Sequence, residues 1–197
     1  MSELLTDNVD GEEDLYRLKP DDDVERLVAS RTRTVLEELD SRRQRSVISF
    51  LAEADLLGII PLQGLDVSYI NLDRENLSYA NLVNTNLSHS FLFDVELYRA
   101  NLTDATLTDA DLTRAMVTRA TLRDADLSFA DLSFANLREA DLRDATLTDA
   151  DLYGAGLGDA DLSGANLEDA QGVTNEELEE QAKSLEGATM PDGSKHD

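Results

Sequence analysis

The side chains that could do chemistry in this chain are mostly carboxylates. Its 197 residues include 42 Asp and Glu, two histidines and no cysteine. The lack of cysteine excludes disulfides, thiolate catalysis and cysteine-based zinc sites. His89 and His196 lie far apart in sequence, so they predict neither a metal cluster nor a catalytic triad. We therefore predict no catalytic residue, no metal site and no cofactor, and we expect the protein not to be an enzyme.

Three aspartates recur at intervals of 20 residues, at Asp104, Asp124 and Asp144. If the chain winds in coils of 20 residues, these carboxylates stack at intervals of about 4.8 Å. Such a ladder could hold a cation, or it could present negative charge to a partner. Arg123 and Arg143 lie beside it in sequence and can neutralise it without a metal. We therefore predict an acidic ladder and no metal site.

The element that must position these residues is a repeat of five. From Leu62 to Leu167 the chain has 22 consecutive apolar residues spaced five apart, and alanine stands two residues before each of them from Ala100 onward. A step of five rotates a helical side chain by about 140°, and it alternates the faces of a strand. Neither element would bury these residues together. We predict a chain that turns after every five residues, so that four sides close a coil of 20 and the coils stack.

The repeated units resemble the pentapeptide-repeat family, whose unit reads Ala, then Asp or Asn, then Leu, then two variable residues. Residues 125–134 are close to two ideal copies, and the resemblance covers about 110 residues. It implies an all-β solenoid, a right-handed quadrilateral β-helix of about 5.5 coils with α-helical caps at both ends. It implies less about function, because the same scaffold serves many purposes.

Glu75 occupies a position that the repeat predicts to face inward, where later repeats have alanine. An unpaired buried carboxylate would cost several kcal/mol. Two interpretations remain open. Either the backbone bulges and turns this carboxylate outward, or an arginine from the preceding segment, Arg42, Arg43 or Arg45, reaches it.

Several aromatic residues fall at outward positions of the stacked coils. Because the interior is already filled by leucine and alanine, outward aromatic residues predict a surface that binds a partner. An alternative is that Phe91 and Phe93 lie beneath the N-terminal helices. The predicted surface comprises Phe91, Phe93, Tyr98, Phe129, Phe134 and Tyr153.

The segments before and after the repeats have helical patterns. A helix is predicted from Asp22 and a second from an N-cap at Ser41, with Gln44 completing a capping box. Gly58 is the expected end of the second helix. The predicted apolar positions are Val24, Leu27, Val28, Val35, Leu36 and Leu39 in the first helix and Val47, Phe50, Leu51 and Ala54 in the second.

After Ala170 the five-residue period is expected to end. Thr174 and Glu177 predict a capping box for a C-terminal helix with Leu178, Ala182 and Leu185 on one face and Gly187 as its stop, and residues 190–193 predict a β-turn. The chain is thus divided into a poorly ordered lead-in (1–20), an N-terminal helical cap (21–58), the β-helix (59–170), and a capping helix with tail (171–197).

Net charge limits the partners. The formal charge is -25, which argues against direct binding of nucleic acid. Some pentapeptide-repeat proteins resemble B-DNA and occupy the DNA-binding saddle of DNA gyrase. The array from 62 to 170 has 20 acidic and 7 basic residues, about one net charge per 2 Å, close to the ~1.7 Å of duplex DNA. The flanks are equally acidic and arginine far outnumbers lysine, which is typical of a halophile.

No apolar run is long enough to span a bilayer, and we expect a cytoplasmic protein. The segment around residues 33–36 and 49–54 also resembles one that precedes the repeats in membrane-tethered relatives, so peripheral membrane association is a further hypothesis. The main prediction is a non-enzymatic scaffold or protein-protein interaction module whose protein partner is not identified. The alternatives are a DNA mimic that binds gyrase and a membrane-associated assembly module, and a homodimer is compatible with each.

Overall fold

A computed structural model of the protein describes the backbone of residues 22–197 and the side chains of residues 30–197. The elements are helix α1 (Asp22–Glu37), helix α2 (Ser41–Glu53), a stack of coils, and helix α3 (Asn175–Gln181). The predicted lead-in at 1–20 and the side chains of Val24, Leu27 and Val28 lie outside the described residues. None of the helices within 22–197 is long and apolar enough to cross a bilayer.

The coils have the predicted length of 20 residues. The residue before each apolar centre forms a parallel bridge with the residue 20 positions away, as in the series Phe91, Asp111, Asp131 and Asp151. Throughout the described coils this pairing involves one residue per side, so each side is a short extended segment between two turns. Backbone hydrogen bonds join the layers, such as that from Leu132 N–H to the Asp151 carbonyl at 2.8 Å.

Each corner is a turn whose geometry explains the repeat. Ala130 N–H donates to the Leu127 carbonyl at 3.1 Å, and Phe129, the third residue of this turn, has φ 60°. A positive φ at this position is what a type II turn requires. The Asp126 carboxylate accepts a hydrogen bond from Ser128 N–H at 3.0 Å. The preference for Asp or Asn before each leucine follows, because such a side chain accepts a hydrogen bond from the backbone N–H two residues on, as Ser and Thr do more weakly.

The interior is a column of apolar side chains. Leu127 and Ala130 are fully buried, as are the corresponding residues of nearly every other repeat. In the first coils the small position holds larger or polar residues instead. The buried hydroxyls of Thr85 and Ser90 each donate to a backbone carbonyl of their own or a neighbouring coil. In the described chain, every buried side-chain nitrogen or oxygen has a hydrogen-bond partner, so these exceptions need not destabilise the column.

Helices α1 and α2 pack on the first coil. Leu36, Ile48 and Leu51 are buried in the same cluster as the coil leucines. The side chain of Gln44 donates to the Leu36 carbonyl at 3.0 Å and to the Asp66 carbonyl at 3.4 Å, which joins both helices to the coil.

The predicted limits and apolar face of α2 need correction. Its N-cap is Asp40, whose carboxylate accepts from Arg43 N–H at 2.9 Å; Ser41 is the first helical residue, and Gln44 is used elsewhere. The helix ends at Glu53, before Gly58, and Asp55 supplies the left-handed residue with φ 54°. Three predicted apolar residues are exposed: Val35 in α1, Phe50 in α2, and Ala54, which is the C-cap of α2 and not part of the helix.

The C-terminal region confirms some predictions and corrects others. Thr174 and Glu177 form the predicted capping box, Leu178 is fully buried, and a hydrogen bond from Gly193 N–H to the Met190 carbonyl closes the predicted β-turn. However, α3 ends at Gln181, with Ala182 as its C-cap, so Leu185 is not on the helix and Gly187 does not stop it.

The expectation that the coil pattern ends after Ala170 is also wrong. Ser184 pairs with Asp161 and Thr189 pairs with Asn166, at a spacing of 23 residues instead of 20. Helix α3 lies within this coil and lengthens it by three residues. Two more sides then follow, with Leu185 and Met190 buried as their centres.

Candidate protein-interaction surfaces

The four sides of the coil differ sharply in charge. One side carries five of the seven arginines in residues 62–170 and five carboxylates, so its formal charge is zero. We call it the arginine face, formed by residues 74–79, 94–99, 114–119, 134–139 and 154–159. The other three sides, the acidic faces, hold the remaining 15 carboxylates of the array and only two arginines, Arg123 and Arg143. The whole net negative charge of the array therefore lies on the acidic faces.

The predicted acidic ladder lies on one corner of the acidic faces. Asp104, Asp124 and Asp144 are exposed and have φ values of 57–59°, so each is the third residue of its turn. Arg143 does not pair with the ladder; its guanidinium bonds both oxygens of Asp141 at 2.6–2.7 Å. In the described part of the chain, no group of His, Asp or Glu is arranged to hold a metal ion. Among the described residues, none of the three ladder carboxylates lies within ion-pair distance of a lysine or arginine.

The predicted aromatic residues do not form one patch. Phe134 and Tyr153 meet edge to face, with ring centroids 5.4 Å apart. Phe91 and Phe129 are exposed on the acidic faces, Phe91 with 51% of its surface accessible. The described parts of helices α1 and α2 thus leave Phe91 largely uncovered.

Phe93 and Tyr98 are half-buried by neighbouring side chains of the coil. The guanidinium groups of Arg74 and Arg114 lie 5.6 and 5.7 Å from the Phe93 ring centre, and they belong to the layers on either side of Phe93. Arg99 lies 5.4 Å from the Tyr98 ring centre. These are cation–π contacts. The six predicted residues therefore separate into small clusters at different corners.

A charge network occupies the arginine face. Arg119 donates to Glu139 at 2.7 Å and to the Tyr98 hydroxyl at 3.4 Å, and Arg138 donates to Asp159 at 2.8 Å. The hydrogen bond from Arg119 holds the pKa of Glu139 below its usual range. These ion pairs neutralise arginine charge within the face, and the five arginines therefore do not form a basic patch.

Carboxylates on the acidic faces are held ionised by their own turns. Burial raises the pKa of Asp126, but hydrogen bonds from Ser128 and Thr108 outweigh it and leave the pKa below the usual value. The pKa of Asp141 is lowered mainly by the hydrogen bonds from Arg143. These carboxylates therefore remain charged at neutral pH and contribute to the negative field.

Glu75 has a structural partner. The hydroxyl of Ser49 in α2 donates to Glu75 Oε1 at 2.7 Å, and Arg45 lies 3.9 Å from the same oxygen. The turn before it keeps its regular bond, from Glu75 N–H to the Leu72 carbonyl at 3.1 Å, so the backbone does not bulge. Of the two interpretations, the one in which an arginine of the helical segment reaches Glu75 is correct.

The sequence did not single out the arginine face. The signal was present, because the third residues of successive turns at steps of 20 include Arg99 followed by Arg119, and the same face has Met116 at its centre. Tyr69 and His89 were also missed; their rings stack 4.7 Å apart on a different corner.

Comparison with known proteins places the repeats in a family. The model of pentapeptide repeats matches residues 92–128 and 130–169 in eight copies. The pentapeptide repeat protein Rfr23 from the cyanobacterium Cyanothece 51142 is 31% identical over 68% of this chain and 90% of its own, with a TM-score of 0.39. The chain belongs to the pentapeptide-repeat family, whose members form right-handed quadrilateral β-helices.

Two further solved structures are similar to parts of the chain. HetL, a pentapeptide repeat protein involved in heterocyst differentiation regulation in Nostoc sp. strain PCC 7120, is 28% identical over 69% of this chain and 91% of its own, with a TM-score of 0.25. Full-length QnrB1, a plasmid-mediated fluoroquinolone resistance protein, is 14% identical over 65% and 78%, with a TM-score of 0.42. No curated protein sequence gave a significant match.

Proposed function

We propose that the protein is a non-enzymatic scaffold that binds another protein through the outward side chains of its coils. The inward positions are filled by residues such as Leu127 and Ala130, which are fully buried. Only the side chains of the four faces and their corners are available to other molecules. Recognition therefore depends on the outward residues, while the backbone holds them in fixed register from layer to layer.

The division of charge is the observation that carries this proposal. The acidic faces hold 15 carboxylates of the array, and of their two arginines Arg143 is already paired with Asp141. Such a surface attracts a partner with a complementary basic surface and speeds its association. It repels phosphate backbones, so we infer that the protein does not bind nucleic acid directly.

The test is capture of partners from a native-host lysate by immobilised protein at low salt. We expect a variant with Asp104→Asn, Asp124→Asn and Asp144→Asn to lose basic partners that the wild type retains. The matched control carries Thr106→Ala and Thr146→Ala, two outward positions on the acidic faces with no charge change. Equal capture by all three proteins would show that the ladder does not recognise a partner.

The second candidate function is mimicry of DNA toward gyrase. It is favoured by the same charge division, because about 13 net charges on three faces along about 26 Å approach the charge density of a duplex. We expect purified protein to inhibit gyrase supercoiling at micromolar concentration and charge reversal of Asp104, Asp124 and Asp144 to lysine to weaken inhibition. A protein that leaves supercoiling unchanged in moderate salt is not a gyrase-directed mimic.

We also infer that helices α1 and α2 cap the first coil of the β-helix, and that α3 with the two sides that follow it closes the other end, so that the stack extends beyond the 5.5 coils counted up to Ala170. Support comes from the burial of Leu36, Ile48 and Leu178 against coil residues and from the bond between Ser49 and Glu75. Solenoids require polar-faced ends for solubility. Removal of residues 1–58 should cause aggregation or end-to-end association, measured by light scattering. A truncated protein that stays folded and monodisperse would show that these helices are not a cap.

A further inference from the structure

One corner of the coil changes in character along the stack. It lies where the arginine face meets the acidic face that holds residues 129–133 and 149–153. Counted away from the N-terminal helices, the corner residues of the first five layers are Arg74, Asp94, Arg114, Phe134 and Gly154. The corner therefore supplies its own cations in the lower layers and none in the fourth and fifth.

In the lower layers, arginines of the protein itself occupy the aromatic ring at this corner. The guanidinium groups of Arg74 and Arg114 lie on either side of Phe93, 5.6 and 5.7 Å from its ring centre. Arg114 Nε also lies 3.9 Å from a carboxylate oxygen of Asp94. We call these four residues the lower arginine cluster. In this cluster the corner holds guanidinium groups against an aromatic ring and beside a carboxylate, which is a favourable environment for arginine.

In the upper layers the rings at the same corner have no cation. Phe134 and Tyr153 meet edge to face and are 58% and 59% exposed. Among the described side chains, no arginine or lysine lies over either ring. Gly154, the corner residue above Phe134, has no side chain to cover the ring, and a Cβ there would lie 2.9 Å from it. The two rings therefore form an exposed aromatic pair.

Two carboxylates beside this pair are held in fixed positions. Asp131 Oδ1 accepts from Ser133 N–H at 2.9 Å, and Asp151 Oδ1 accepts from Tyr153 N–H at 2.9 Å. Within the described chain, the Oδ2 atom of each has neither a hydrogen bond nor an ion pair. The two residues pair across adjacent layers, so their backbones lie about 4.8 Å apart. Their free oxygens are acceptors that are already oriented before a partner arrives.

The charge of this region complements a cation. Residues 129–134 and 149–154 contain three carboxylates and no lysine or arginine. A guanidinium group stacks on aromatic rings and donates parallel hydrogen bonds to carboxylate oxygens. A lysine ammonium group is a more strongly hydrated point charge and gains less from a ring. Exposed rings beside free carboxylate oxygens therefore favour arginine over lysine.

We propose that Asp131, Phe134, Asp151 and Tyr153, the upper aromatic corner, bind an arginine side chain of the protein partner. The guanidinium group lies against the aromatic pair and donates to the free oxygens of the two aspartates. Binding thus reproduces between two molecules the contacts that the lower arginine cluster makes within one. The inference rests on the proposed function, because it assigns one contact of the basic partner and the residue type that makes it.

The test measures how two fluorescein-labelled peptides bind the full chain. Each has about ten residues, one alternating glycine with arginine and the other glycine with lysine, so their charges are equal. Fluorescence anisotropy at about 0.05 M KCl should give the arginine peptide a Kd about fivefold lower, because only the guanidinium group gains from the rings. Equal Kd values for the two peptides would overturn the inference.

The contribution of the rings is tested by a variant with Phe134→Leu and Tyr153→Leu, which keeps the charge and the apolar character of the corner. Its Kd values for the two peptides should lie within about twofold of each other. The matched control carries Phe91→Leu and Phe129→Leu, two exposed rings elsewhere on the same acidic face, and it should keep the fivefold preference. A preference that survives in the first variant would contradict binding at this corner.

The contribution of the carboxylates is tested by Asp131→Asn with Asp151→Asn, which should raise the Kd of the arginine peptide about tenfold. The charge-matched control, Asp104→Asn with Asp124→Asn, changes the ladder at the diagonally opposite corner and should raise it about twofold. Equal increases would overturn the inference and leave the proposed recognition of a basic partner intact. If neither peptide bound the wild type, both the inference and that recognition would fail.

Discussion

The arginine face and the acidic faces share one backbone and one interior, yet their outward residues differ in charge and shape. Both kinds of face have buried centres such as Leu137 and Leu127, and both have turns with a positive φ at the third residue. The interior therefore determines the fold on all four sides equally. The outward positions are free to vary, and this freedom allows one column to carry surfaces of different charge.

The largest expected effect tests whether the interior is common to both surfaces. Leu137→Ala beneath the arginine face and Leu127→Ala beneath an acidic face should each reduce the free energy of unfolding by about 2–5 kcal/mol, because each leaves a cavity. Ser133→Ala, at an outward position, should change it by less than about 0.5 kcal/mol. Urea denaturation measures all three. If Leu137→Ala cost no more than Ser133→Ala, the two sides would not share an interior.

Substitutions at the glycines of residues 154–159, in the arginine face, should have a smaller effect on the free energy of unfolding. Gly154 has φ 67°, and an added Cβ would lie 2.9 Å from the Phe134 ring, whereas at Gly156 the nearest atom would be 3.9 Å away. We expect Gly154→Ala to cost about 1–3 kcal/mol in unfolding free energy, and Gly156→Ala to change it by less than about 0.5 kcal/mol. Equal thermal melting of the two variants would mean that Phe134 moves aside freely.

Neutralising single charges should have opposite effects on the two kinds of face. Asp124→Asn removes one carboxylate from a crowded acidic face, so the melting temperature should rise at low salt. Arg119→Gln removes the partner of Glu139 and should lower it. Both changes in melting temperature should become smaller as salt increases from about 0.05 to 1 M, because salt screens the interactions between exposed charges. The wild type should also melt higher in concentrated KCl, and a flat salt profile would contradict uncompensated repulsion.

The smallest effect concerns pH. The pKa of Asp126 is lowered in the folded protein, so its stabilising contribution is present above the unfolded value of about 3.9 and is lost as the pH falls through the folded value. The difference in melting temperature between wild type and Asp126→Asn should therefore narrow between pH 6 and pH 3. Asp131→Asn is the comparison on the neighbouring side, where only a backbone N–H bonds the carboxylate. A constant Asp126 difference over this range would rule out the proposed contribution.

The five-residue period was enough to predict the coil, because leucine at every fifth residue can be buried on all sides only if the chain turns each time. It failed where the period is interrupted. Helix α3 shifts the register by three residues, so the return of the coil at Leu185 and Met190 could not be recognised from spacing. The N-cap at Asp40 was missed because Ser41 is an equally favourable capping residue and differs by one position.

The candidate surfaces were predictable only in part. Stacking in steps of 20 identified Phe134 and Tyr153 as outward neighbours, and their rings are in contact. Phe93 packs between Arg74 and Arg114, which both have a positive φ at their turns. The direction of a side chain at such a turn depends on the local backbone conformation, which a periodic sequence pattern does not describe. The neutrality of the arginine face was missed because charges were counted for the whole array and not for each side.

The central claim is that the acidic faces, and not the arginine face, bind the basic partner. The most direct test measures how much basic partner two variants capture at one protein concentration and low salt. One variant is Met116→Glu, and the other carries Asp104→Asn, Asp124→Asn and Asp144→Asn. Our account predicts that Met116→Glu captures as much partner as the wild type and that the triple variant captures little. A loss of capture by Met116→Glu as large as that of the triple variant would contradict the separation of the two surfaces.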